Sequence, residues 1–106
     1  MYKFIAYIPE THLETVKTAL FHAGAGQLGN YSHCSWQTLG QGQFLPLSGA
    51  NPAIGQVGTI ETVSEWQLQT IVAKDNIKAV LQAYKDAHPY EEPAYEILQM
   101  IEAGLD

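Results

Sequence analysis

The tract His88-Pro89-Tyr90-Glu91-Glu92-Pro93-Ala94-Tyr95 gathers an imidazole, two adjacent carboxylates and two phenols around two prolines. Proline fixes its own φ and drives the preceding residue toward extended backbone, so Pro89 ends any helix and biases His88, and Pro93 biases Glu92. The tract reads as a stiff passage from a helix into a strand. Its side chains suit three kinds of chemistry. They can ligate a divalent metal, form an acid–base pair, or build a hydrogen-bonded hinge in which Glu91 or Glu92 accepts from backbone amides while Tyr90 and Tyr95 pack.

A second tract, Gly24-Ala25-Gly26-Gln27-Leu28-Gly29-Asn30-Tyr31-Ser32-His33-Cys34-Ser35, places three glycines before an Asn-Tyr-Ser-His-Cys run, and Asn51-Pro52-Ala53-Ile54-Gly55 follows farther on. In this order and spacing the three tracts resemble the insert domain of the YqfO family, the proteins related to NGG-interacting factor three, from Met1 to about Met100. The resemblance implies a small α+β domain similar to CutA and the PII signalling proteins, assembled as a trimer. It also implies that in long members the segment interrupts a larger dinuclear-metal domain. This chain then corresponds to the insert standing alone, and names such as GTP cyclohydrolase homologue attach to the larger part. The resemblance lends weight to His33 without assigning it a role.

Two neutral imidazoles and a carboxylate would suit zinc with an open fourth position. The expected metal set is therefore His33, His88 and Glu92, with Asn30, Tyr31, Cys34, Tyr90 and Glu91 as further candidates for lining a ligand cleft. This requires the glycine-rich segment to approach the His88–Tyr95 turn. His33 and Cys34 are adjacent, so on a strand they point to opposite faces. A lone cysteine is more often a buried small apolar group than a nucleophile. Gly24–Gly29 spells G-x-G-x-x-G, but it follows a helix and precedes a strand; a helix C-terminus repels phosphate, so the glycines are read as a helix exit. His12 and His22 are read as solvated helix residues. No serine has a visible base partner, and no catalytic residue is assigned.

The elements that must position these groups follow from periodicity. Tyr2–Ile8 alternates as a strand. Thr11 and Glu14 have capping-box spacing, and Leu13, Val16, Leu20 and Ala23 share one face of a helix over about 11–23. Tyr31 to Pro46 is strand-like, with Gly40 and Gly42 marking a bend, bulge or turn. Residues 47–58 form a loop and Thr59–Val72 a strand, with Trp66, Leu68, Thr70 and Val72 on one face. Asp75 caps a helix over about 75–88 with Ile77, Val80, Leu81 and Tyr84 as its buried stripe. Pro93 or Ala94 opens the last strand. The order βαββαβ predicts an α+β ferredoxin-like sandwich in one domain over residues 1–106, an antiparallel sheet with two helices on one face.

Composition bounds the partners. The chain has 106 residues, a hydrophobic fraction of 46% and a net charge of −6, sufficient for one modest core. Its five cations are all lysine, so it lacks the basic excess and guanidinium groups that nucleic acid requires, and phosphate clamps are scarce. No apolar run reaches membrane-spanning length, and Met1–Ile5 has no charged leader ahead of an apolar region. The single cysteine fits a reducing compartment. A cytoplasmic protein with neither nucleic acid nor membrane as partner is expected. Residues 18–60 contain no Asp, Glu, Lys or Arg yet include Tyr31, Trp36, Phe44 and Ile54. Charge depletion of this kind marks interface cores; a long twisted hairpin with a glycine-rich connection is the alternative. The resulting expectation is a homo-oligomeric binding or sensory module, taking a divalent metal such as zinc or a small polar molecule. An enzyme using His and Glu for acid–base or metal-assisted work, and a purely structural assembly domain, are the alternatives.

Overall fold

The structure, a computed structural model, describes residues 1–101. Its elements are β1 (Tyr2–Pro9), α1 (Leu13–His22), β2 (Ser35–Phe44), β3 (Glu61–Val72), α2 (Ile77–Ala87) and β4 (Tyr95–Gln99). The strands form one antiparallel sheet in the order β2-β3-β1-β4, and the expected βαββαβ sandwich is the observed one. No helix among the described residues is long and apolar enough to cross a membrane.

Period-two alternation puts Phe4, Ala6 and Ile8 of β1 on the same face as Leu68, Thr70 and Val72 of β3. Helical spacing presents Leu13, Val16 and Leu20 from α1 and Val80 and Tyr84 from α2 to that face, and these residues are buried together. Each large apolar side chain so buried contributes about 1.5–3 kcal/mol. Tyr84 is the largest of them and meets Phe4 edge-on, with ring centroids 5.3 Å apart.

Local chemistry differs from the sequence expectation at several termini. Both helices are entered through a 3₁₀ turn, Glu10–His12 and Lys74–Asn76, and neither has a side-chain cap. The Thr11 hydroxyl pairs with His12 Nδ1, so the Thr11–Glu14 capping box does not form, and Asp75 lies inside the second 3₁₀ turn and caps nothing. The exit of α1 follows expectation. Gly24 takes φ +113°, its N–H donates to Phe21 O and the Ala25 N–H reaches Leu20 O, the paired bonds of a Schellman motif.

β2 begins at Ser35, later than expected, because His33 adopts a left-handed φ of +59° that breaks the extended run. Gly40 and Gly42 mark no bulge: the register runs without insertion from Ser35 opposite Thr70 to Phe44 opposite Glu61. β1 ends opposite Glu65, so Glu61–Ser64 pair with β2 alone as a two-stranded ribbon. A ribbon of that kind is marginal by itself and needs further contacts to hold it.

The sheet face away from the helices carries Trp36 from β2, Gln67 and Gln69 from β3, Lys3, Ile5 and Tyr7 from β1, and Glu96 and Leu98 from β4. Trp36 is 61% exposed there.

Candidate functional site: the cleft between the hairpin and the Pro89–Pro93 turn

β4 pairs with β1 only from Tyr2 to Ala6, which leaves the backbone of Tyr7 without a strand partner on that side. Side chains from α2 and its exit supply the missing bonds. The Tyr7 N–H points to the Tyr84 hydroxyl at 3.4 Å, and His88 Nε2 lies 2.8 Å from Tyr7 O. The Tyr84 hydroxyl in turn donates to Ala94 O at 2.6 Å. His88 is the C-cap of α2, extended at φ −76° and ψ 137° as a residue before proline must be.

A carbonyl only accepts, so His88 donates through Nε2 and its neutral Nδ1 accepts the Tyr90 N–H at 3.1 Å. Both ring nitrogens are thus engaged inside the fold. His88 is 6% exposed, and burial lowers its pKa, with the Tyr7 carbonyl pulling the other way.

The turn then meets the β2–β3 ribbon. Tyr90 packs on Phe44, centroids 5.9 Å apart, and its hydroxyl donates to Glu65 Oε2 at 2.9 Å. Burial, followed by that bond and the Glu65 charge, raises the Tyr90 phenol above its ordinary range. Glu91 Oε1 accepts the Asn51 N–H at 3.2 Å, fastening the β2–β3 connection to the turn.

These contacts enclose an open cleft of about 550 Å³. Its walls are mainly the apolar residues from Phe44 to Ile54; Tyr7, Gln43, Glu65, Tyr90, Glu91 and Glu92 are its polar lining residues. Gly42 also lines it, and a Cβ there would collide with the Glu65 carboxylate.

The cleft is lined by Tyr90, Glu91 and Glu92 but by no residue of the Gly24–Cys34 tract. That tract is anchored at the far end of β3: the Gly26 N–H donates to Ile71 O, and Thr70 Oγ1 donates to Cys34 O. Thr70 and Glu65 are five residues apart, roughly 17 Å along a strand. Asn30 is exposed in a tight turn closed by paired Leu28–Tyr31 backbone bonds, with Gly29 left-handed, and Tyr31 is 75% exposed. His33 packs against Phe21 at 4.8 Å and pairs with the Ser32 hydroxyl. Cys34 is half-buried, its thiol 3.9 Å from Ser32 O.

Among the described residues of one chain, no three His, Cys, Asp or Glu side chains are grouped to hold a metal. His33, His88 and Glu92 are therefore not brought together within a protomer. Sequence reasoning passed over Glu65, Phe44, Tyr7 and Gly42 as cleft residues. A signal existed: two glycines inside a strand, beside an isolated acid on the neighbouring strand, mark a side chain that needs room.

No family model matches the chain. Over 93% of its length it is 48% identical to a protein named GTP cyclohydrolase 1 type 2 homolog from Mycobacterium tuberculosis, of which it spans 26%. The crystal structure of a Bacillus cereus protein related to NIF3 superposes on 93% of the chain with a TM-score of 0.80 and 39% identity; the match covers 25% of that protein. The PII-like protein CutA from Nostoc sp. PCC 7120 superposes on the whole chain and covers 86% of its own length, with a TM-score of 0.68. At 14% identity this last likeness concerns the fold alone. The chain spans about a quarter of the curated relatives it matches.

Proposed function

We propose that this chain, a homologue of one segment of the NIF3-related proteins with a CutA-like fold, is a self-associating binding module. In this reading the cleft between the β2–β3 ribbon and the Pro89–Pro93 turn receives a small organic ligand. The cleft carries the reading. It is concave and mostly apolar, with a few convergent polar groups held by second contacts, which is the general form of a small-molecule site. Self-association is supported by the open sheet face, where Trp36, Ile5 and Leu98 lie opposite the helical layer, and a trimer suits the resemblance.

A metal is the weaker alternative. His88 would have to surrender a bond to Tyr7 O or Tyr90 N–H to serve as a ligand, and His33 would have to come from another copy of the chain. Acid–base catalysis by His88 meets the same obstacle.

The reading is tested by titrating isotopically labelled protein with a library of small organic molecules and mapping the shifted resonances. Perturbations gathered on Phe44, Ile54, Glu65 and Tyr90 are the expected result. Hits that cluster elsewhere, or an absence of hits, would remove the cleft as the binding site.

A further inference from the structure

We infer, building on the cleft reading, that the ligand is an organic cation: a protonated amine carrying an aliphatic body. The charge of the cleft points there. Glu65, Glu91 and Glu92 line it, and no Lys, Arg or His is among the lining residues. No described residue forms an ion pair with any of these three carboxylates. Glu65 is half-buried and receives only a neutral phenol, the Tyr90 hydroxyl. A carboxylate withdrawn from water is held best by a positive partner. Glu91 is likewise met only by a backbone amide, that of Asn51.

The remaining surface selects an organic ion over a bare one. Phe44 and Tyr90 present an aromatic pair beside Glu65, and an ammonium is drawn to such ring faces as well as to carboxylate. Leu45, Leu47 and Ile54 offer aliphatic surface that a hydrated metal ion would not use. Phosphates and carboxylates would meet like charge with no cation to receive them, so nucleotides are disfavoured by the same residues.

The test titrates the full chain with hexylammonium, hexanol and hexanoate, followed by calorimetry and by resonance mapping. At about pH 8 the amine, with a pKa near the lysine reference of about 10.4, is charged. The expected result is binding of hexylammonium at the cleft, at least about tenfold tighter than either analogue. Glu65→Gln and the double variant Glu91→Gln/Glu92→Gln should each weaken it by about tenfold or more, the scale of one charge-assisted bond. Glu65→Gln retains an acceptor for Tyr90, and its melting temperature should remain close to that of the parent. Glu14→Gln, on α1, should leave binding unchanged and so excludes general attraction to an acidic protein. Equal or tighter binding of hexanol or hexanoate at the cleft overturns the cation inference and leaves the cleft reading standing. Displacement of hexylammonium by zinc or magnesium at equal concentration assigns the carboxylates to a metal and overturns it as well. If no probe of any charge shifts a cleft residue, the cleft reading itself fails.

Discussion

His88 Nε2 sits 2.8 Å from the carbonyl oxygen of Tyr7, across 81 positions of sequence. The bond falls where β4 has already left the edge of β1, so an imidazole takes the place of a strand amide. Its other nitrogen holds the Tyr90 N–H and thereby sets the start of the turn that carries Glu91 and Glu92. His88 is thus a positioning residue for the cleft rather than one of its walls.

Stability should fall in mild acid. Burial lowers the His88 pKa below 6.5 in the folded state, so between that folded value and about 6.5 the unfolded chain binds the extra proton. The contribution is complete above about 6.5 and is lost as pH falls through the folded value. Protonation also removes the Nδ1 acceptor that Tyr90 uses. Urea midpoints measured across this range should drop toward acid in the parent and change less in His88→Ala. The variant itself should lose about 2–4 kcal/mol, through two unpaired backbone groups and a small cavity. Parallel pH profiles would remove His88 as the cause.

Tyr84→Phe should cost about 1–3 kcal/mol although it deletes one oxygen. That oxygen accepts the Tyr7 N–H and donates to Ala94 O in a buried position. The ring stays packed on Phe4, so the loss reports unsatisfied polar groups and not a cavity. Chemical denaturation measures it, and hydrogen exchange at Tyr7 should quicken.

The core was legible in the sequence because alternation and helical spacing act locally. Leu13, Val16 and Leu20 faced inward as their spacing required, and Leu68, Thr70 and Val72 shared the buried face. The His88–Tyr95 turn was legible because two prolines fix backbone directly. What resisted were partners distant in sequence. Nothing near Tyr90 names Glu65 as its acceptor, and nothing near Asn51 names Glu91. The expected grouping of His33, His88 and Glu92 is not present within one chain for the same reason: where each is held depends on its anchor along the sheet. The helix caps differ from the sequence expectation because 3₁₀ turns at Glu10–His12 and Lys74–Asn76 displace the capping positions.

Zinc titration should show no site that depends jointly on His33 and His88 within one chain. Calorimetry of the parent, His33→Ala and His88→Ala provides the check. Loss of a tight zinc isotherm in both variants would require the two histidines to meet across copies, and would move the metal reading ahead of the organic one.

Sedimentation at micromolar concentration should give a species heavier than the 11.7 kDa chain, with a trimer expected. Trp36→Glu puts a charge into the open sheet face and should shift the equilibrium toward monomer with the helical core intact. A parent that remains monomeric would withdraw self-association from the proposed function.

Gly42→Ala separates the cleft from the fold. A methyl at Gly42 would occupy the space of the Glu65 carboxylate, which is the end of a flexible side chain and can swing away. The backbone there is ordinary strand, and alanine suits a strand no worse than glycine does, so the change in stability should stay within about 1 kcal/mol. The displaced carboxylate would no longer receive the Tyr90 hydroxyl. The Tyr90 phenol, held high by burial and by Glu65, should then titrate at lower pH than in the parent. Labelling the tyrosine ring carbons and following Tyr90 through alkaline pH reads this directly, with Tyr90→Phe used to assign the signal. A Tyr90 titration unchanged by the extra methyl would mean that burial alone sets it and that Glu65 does not organise the cleft.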